Sequence, residues 1–100
     1  MAKSSFQNII NSEKPVLIDF YADWCGPCKT FSPIVEQLKD DLGDEVRVIK
    51  INVDKNQALS SKLGIRSIPT IMIYKKGKLE YEGKGMHTLD DMKNKLRALL

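Results

Sequence analysis

Two cysteines separated by a Gly-Pro pair, in Trp24-Cys25-Gly26-Pro27-Cys28-Lys29, are the residues of this chain best suited to do chemistry. The chain has 2 cysteines in all, so any sulfur chemistry it performs is concentrated there. Residues three apart on a helix have Cβ atoms about 5–6 Å apart, and disulfides join Cα atoms about 4.4–6.8 Å apart. Cys25 and Cys28 can therefore pass between dithiol and disulfide. The reactive form of cysteine is the thiolate. A helix N-terminus favours it, because N–H groups there lack partners and the peptide dipole is positive. A purely structural bridge closing so short a loop restrains the unfolded chain little. A structural zinc needs four ligands, and beyond the cysteines the soft donor is His87, far along the sequence. No metal site within one chain is expected, and redox exchange is the reading the pair supports.

The flanking patterns show what must hold these sulfurs. Val16 to Tyr21 is a short, mostly apolar run, the signature of a buried strand. Phe31, Ile34, Val35, Leu38 and Leu42 then recur at helical spacing, which predicts a helix from about Cys25 to Leu42 with Gly43 as its stop. Cys25 falls in the first turn of that helix. The β-branched run Val46–Val53 reads as a second interior strand, joined to the first by a right-handed parallel crossover. Asn56–Leu63 reads as a helix. Thr70–Tyr74 and Lys78–Glu82 read as an antiparallel hairpin turning at Lys76-Gly77. Thr88 opens the last helix, whose Leu89, Met92, Leu96, Leu99 and Leu100 form an apolar stripe. At the other end, Ser5–Ile10 reads as a helix capped by its serine and ended by Lys14-Pro15. The expectation is one α/β domain over residues 1–100, a mixed sheet of about four strands flanked by four helices.

Composition narrows the partners. The hydrophobic content of 42% over 100 residues suits a single core. The net charge of +3 comes from 16 basic and 13 acidic residues scattered along the chain, without a basic stripe that would suggest nucleic acid. Met1–Ser5 lacks an apolar signal segment and no run reaches transmembrane length, so a cytoplasmic monomer away from membranes is expected. A reducing compartment suits a cysteine pair that another enzyme must keep reduced. One residue breaks the pattern: Asp19 lies inside the apolar strand run. It is either solvated at a strand end or buried, and a buried carboxyl without a partner raises its pKa.

The run Asp19-Phe20-Tyr21-Ala22-Asp23-Trp24-Cys25-Gly26-Pro27-Cys28-Lys29 resembles the active-site signature of the thioredoxin family. The likeness continues through Pro33, Asn52-Val53-Asp54, Gly64-Ile65-Arg66-Ser67-Ile68-Pro69-Thr70, Lys76-Gly77 and Gly83 to Gly85, and so covers nearly the whole chain. It implies a thioredoxin fold, here without the strand that usually precedes the first helix. It implies a protein disulfide reductase that needs no cofactor beyond its own Cys25–Cys28 pair and is recycled by a reductase of the thioredoxin-reductase type. Cys25 would be the exposed, low-pKa nucleophile and Cys28 the buried resolving thiol. Asp19 would stand behind Cys28 as its proton acceptor, with Lys50 approaching that acid from the neighbouring strand. Ile68-Pro69 would form a cis-proline loop beside the sulfurs and, with Trp24, Gly26, Pro27, Ser67 and Gly85, make the surface that receives a substrate strand. Trp24 in the core, Lys50 as a surface lysine and His87 as a solvated residue before a helix are the plainer readings. Two other functions compete: an oxidoreductase dedicated to one client, and a binding subunit whose thiols are incidental.

Overall fold

The apolar run ahead of the cysteines becomes an interior strand of the sheet. The computed structural model describes the backbone of residues 3–100 and the side chains from Ser5 onward. Strand β1 (Val16–Tyr21) pairs in parallel with β2 (Arg47–Asn52) and antiparallel with β3 (Thr70–Lys75), which pairs antiparallel with β4 (Lys78–Lys84). The order is β2-β1-β3-β4, a mixed sheet of four strands among the described residues. Because β1 is interior, it must be apolar on both faces, and Val16 to Phe20 are all buried.

Alternation along β1 divides the core in two. Leu17 points to the side covered by helices α2 (Gly26–Leu42) and α4 (Leu89–Arg97), where Phe31, Val35, Leu38, Met92 and Leu96 pack on Ile71 and Ile73. Val16, Ile18 and Phe20 point the other way, against Phe6 and Ile10 of α1 (Lys3–Ile10) and Leu59 of α3 (Gln57–Lys62). Each such side chain, fully withdrawn from water, contributes about 1.5–3 kcal/mol. Period-2 geometry puts Asp19 on the same side of the sheet as Leu17, the side that α2 covers.

Element ends show where the sequence signals were incomplete. The first helix begins at Lys3, so Ser5 lies in its first turn and does not cap it. A lone serine fixes a helix start weakly when its neighbour Ser4 offers the same group, and backbone hydrogen bonding decides. Strand β4 runs on to Lys84 instead of ending at Glu82, because Gly83 and Lys84 still find partners in Ile71 and Thr70. The hairpin turn is where the sequence puts it: Lys76 and Gly77 have φ of 53° and 81°, the paired left-handed conformations that a two-residue turn needs. Thr88 caps α4 by accepting the Asp91 N–H at 3.1 Å.

Candidate active site

At the end of β1 the chain leaves the sheet and turns into α2, and both cysteines lie at that turn. Cys25 is the N-cap of α2, in extended conformation with φ −84° and ψ 112°, and Pro27 occupies the first turn. An N-cap side chain faces the free N–H groups of the helix start. Accordingly the Cys25 sulfur accepts the Cys28 N–H at 3.1 Å. Cys28 lies one turn along, 5.2 Å away between Cα atoms, and the two are joined as a disulfide. Among the described residues no group of three or more His, Cys, Asp or Glu is placed to hold a metal.

Exposure does not separate the two sulfurs. Cys25 and Cys28 are each 4% exposed and pack with Ala22, so the expectation of an exposed Cys25 beside a buried Cys28 is corrected. Ile68, Tyr21 and Val53 pack against the cysteine pair. What separates them is polarity: the helix N-terminus donates to Cys25 and not to Cys28.

Opposite the disulfide stands the loop before β3. The Ile68–Pro69 bond is cis, and the Ile68 carbonyl oxygen lies 3.8 Å from the Cys25 sulfur. The Gly85 N–H donates to the Pro69 carbonyl at 2.8 Å, which ties the end of β4 to this loop. Ser67 is exposed, and its carbonyl accepts the Thr70 hydroxyl at 2.6 Å. Gly26 and Pro27 are exposed beside the sulfurs. Trp24 is 70% exposed, not core, and its indole N–H donates to Asp54 at 2.8 Å. Met86, next to Gly85, is 50% exposed. The result is an apolar rim of Trp24, Pro27 and Ile68 around a nearly covered disulfide. Sequence reasoning missed the contact made by Asp54. Nothing in an Asn-Val-Asp run shows that its acid reaches a tryptophan far earlier in the chain.

Asp19 is buried, 1% exposed, and neither carboxylate oxygen meets a donor among the described residues. Burial pushes its pKa from 3.8 up to about 6, a rise that the positive charge of Lys50 partly offsets. Lys50 stands across from Asp19 in the strand register, yet its ammonium does not reach the acid. It donates to the Ser32 hydroxyl at 2.7 Å and lies 4.7 Å over the Tyr21 ring. The lysine expected to approach Asp19 is thus held to the side by a serine that sequence reasoning did not notice. A cavity of about 310 Å³ has Cys28, Tyr21, Ser32 and Lys50 in its wall, so Cys28 and the lysine share one recess.

His87 is also not what the sequence suggested. It is half-buried, hydrogen-bonded through Nε2 to the Tyr81 hydroxyl at 2.8 Å and through Nδ1 to the Gly85 carbonyl at 3.0 Å. A histidine before a helix looks solvated in sequence, but here its ring lies over Gly83, within reach of Tyr81.

Known proteins share this arrangement. The thioredoxin family model matches residues 1–98. A thioredoxin of Rickettsia bellii is 45% identical over 85 residues, covering 85% of this chain and 81% of the relative. A thioredoxin of Rickettsia prowazekii is 51% identical over 75 residues, covering 74% and 71% respectively. Among solved structures, a mutant thioredoxin from Halobacterium salinarum superposes with a TM-score of 0.88 at 35% identity, covering 99% of this chain and 86% of that one.

Proposed function

The chain belongs to the thioredoxin family and is a thiol–disulfide oxidoreductase, and from that premise we propose that it reduces protein disulfides with Cys25 as nucleophile and Cys28 as resolving thiol. The observation that carries the assignment is the Cys28 N–H directed at the Cys25 sulfur. The same donor that meets a neutral sulfur in the disulfide meets a thiolate in the dithiol. A charged acceptor roughly doubles the strength of such a bond, so the reduced protein concentrates its thiolate on Cys25.

Catalysis then runs in two exchanges. The Cys25 thiolate attacks one sulfur of the substrate disulfide, a Cys25–substrate bond forms, and the other substrate sulfur leaves as a thiolate that takes a proton. The Cys28 thiol gives up its proton and attacks Cys25. The Cys25–Cys28 bond forms, and the second substrate sulfur is released. Two electrons pass from the pair to the substrate, so the reading requires no cofactor and no metal. Asp19 takes the Cys28 proton. Its buried position on the α2 side and its pKa of about 6 support that role, since it is ionised at neutral pH yet binds a proton readily. Lys50 lowers the proton affinity of Asp19 through space.

The substrate strand is received by the cis-proline loop and the rim around it: Ile68 offers backbone, Ser67 flanks it, Gly26 and Gly85 leave room, and Trp24, Pro27 and Pro69 provide apolar contact. The partners in this reading are a range of protein disulfides and a reductase of the thioredoxin-reductase type, met by a monomer in the cytoplasm. No helix among the described residues is long and apolar enough to cross a membrane. The test uses the reduced protein. Limiting iodoacetamide labels Cys25 before Cys28, and Cys28→Ser accumulates a mixed disulfide with insulin. Labelling of Cys28 first would reverse the two roles.

A further inference from the structure

Gly85 is held from both sides. Its N–H donates to the Pro69 carbonyl at 2.8 Å, and its own carbonyl lies 3.0 Å from His87 Nδ1. A carbonyl oxygen can only accept, so the neutral ring carries its proton on Nδ1. Nε2 is then bare and accepts the Tyr81 hydroxyl at 2.8 Å. The two rings meet edge to face, centroids 5.7 Å apart. Tyr81 is itself fixed, with the Lys95 ammonium 4.7 Å over its ring and that ammonium paired with Asp91 at 2.8 Å. The tyrosine hydroxyl and histidine nitrogen close over Gly83, where a Cβ would clash with the hydroxyl and come within 2.5 Å of Nε2. A glycine at that place in β4 is what lets the two side chains join.

We infer that the Tyr81–His87 pair is a positioning device for substrate docking: it sets Gly85 against the cis-proline loop, and thereby that edge of the surface a protein disulfide must meet. The inference rests on the docking surface proposed above. Gly85 has φ of 84° and so holds an open conformation with little torsional preference of its own. Its position comes from its two hydrogen bonds, of which His87 supplies one. Neither side chain reaches the sulfurs, so the device acts on how a large substrate seats and not on exchange at Cys25.

Four variants test this, with kcat and KM measured on a protein disulfide (insulin) and rates measured on a small aromatic disulfide. Tyr81→Phe keeps the ring and its packing under Lys95 and removes the hydroxyl. His87→Phe removes both hydrogen bonds, whereas His87→Asn keeps a side-chain donor near the Gly85 carbonyl. Gly83→Ala leaves both partners in place and pushes them apart. One hydrogen bond at the usual strength corresponds to about a three- to tenfold change. KM for insulin should therefore rise by about that factor in His87→Phe, less in Tyr81→Phe and Gly83→Ala, and least in His87→Asn. The rate on the small disulfide should stay within about twofold. Thermal midpoints recorded alongside identify any variant that has failed to fold. An unchanged KM in folded His87→Phe and Tyr81→Phe, or an equal fall on both substrates, overturns the inference. Failure of the parent protein to reduce insulin at all would instead overturn the docking reading.

Discussion

Asp19→Asn keeps the shape of a buried side chain and removes the charge that burial penalises. The folded protein binds the Asp19 proton with a pKa of about 6, against an ordinary value of 3.8. The folded state therefore holds this proton more tightly than the unfolded chain does, and raising the pH favours unfolding. Below pH 3.8 both states are protonated and the effect vanishes. Between 3.8 and about 6 the cost grows, and above that it is constant. At about 1.4 kcal/mol for each tenfold change in proton affinity, the plateau is about 3 kcal/mol. The asparagine variant carries none of it, so it should match the parent near pH 3.5 and exceed it by up to about 3 kcal/mol at pH 8. With a urea dependence of about 1.5 kcal/mol per molar, the midpoint moves up by about 2 M at pH 8. Circular dichroism in urea at the two pH values reads this directly. In the proposed mechanism the same variant lacks the proton acceptor for Cys28, so resolution of the mixed disulfide in single turnover at pH 7 should slow by about a hundredfold, the low end for a general base. A midpoint shift equal at both pH values, or a less stable variant at pH 8, would refute the desolvation argument. An unslowed second step would remove Asp19 from the mechanism.

Two further outcomes follow from neighbouring contacts. Ser32→Ala frees the Lys50 ammonium from its 2.7 Å hydrogen bond, and Lys50 can then swing toward its register partner. The Asp19 pKa should fall below about 6 in a carboxyl-carbon NMR titration, and an unchanged or higher value would show that Tyr21 alone holds the lysine. Gly85→Ala forces a side chain into φ of 84°. It should cost about 1–2 kcal/mol of stability by calorimetry, whereas a neutral result would mean that the loop relaxes.

Much of the fold was legible because two kinds of signal agreed: the unbroken apolar run of β1 and the helical spacing of α2 each point to one structure. The cysteine spacing was legible for the same reason, since local sequence decides it. What sequence could not show depends on groups distant along the chain. The cover over Cys25 comes from Ile68, and the partner of Trp24 is Asp54. Lys50 is diverted by Ser32, a residue whose type carries no hint of that role. His87 gains Tyr81 because both side chains fold over Gly83. In each case a long-range pairing overrode a reasonable local reading.

The interior place of β1 bears on how the protein opens. With a neighbour on each side and its residues from Val16 to Phe20 buried, this strand should have amides that exchange with solvent only when the whole domain unfolds. Helix ends and the outer strands open at much lower free energy. The turn carrying both cysteines continues directly from that strand, and the Val53 N–H binds the Tyr21 carbonyl at its very end. The reactive pair is thus anchored to the last unit to come apart. Fraying of α1, α4 or the outer strand β4 leaves the sulfur geometry standing. Deuterium uptake at Ile18 and Phe20 should mark the same free energy as global unfolding, and uptake at Gly85 and Met86 should run well ahead of it.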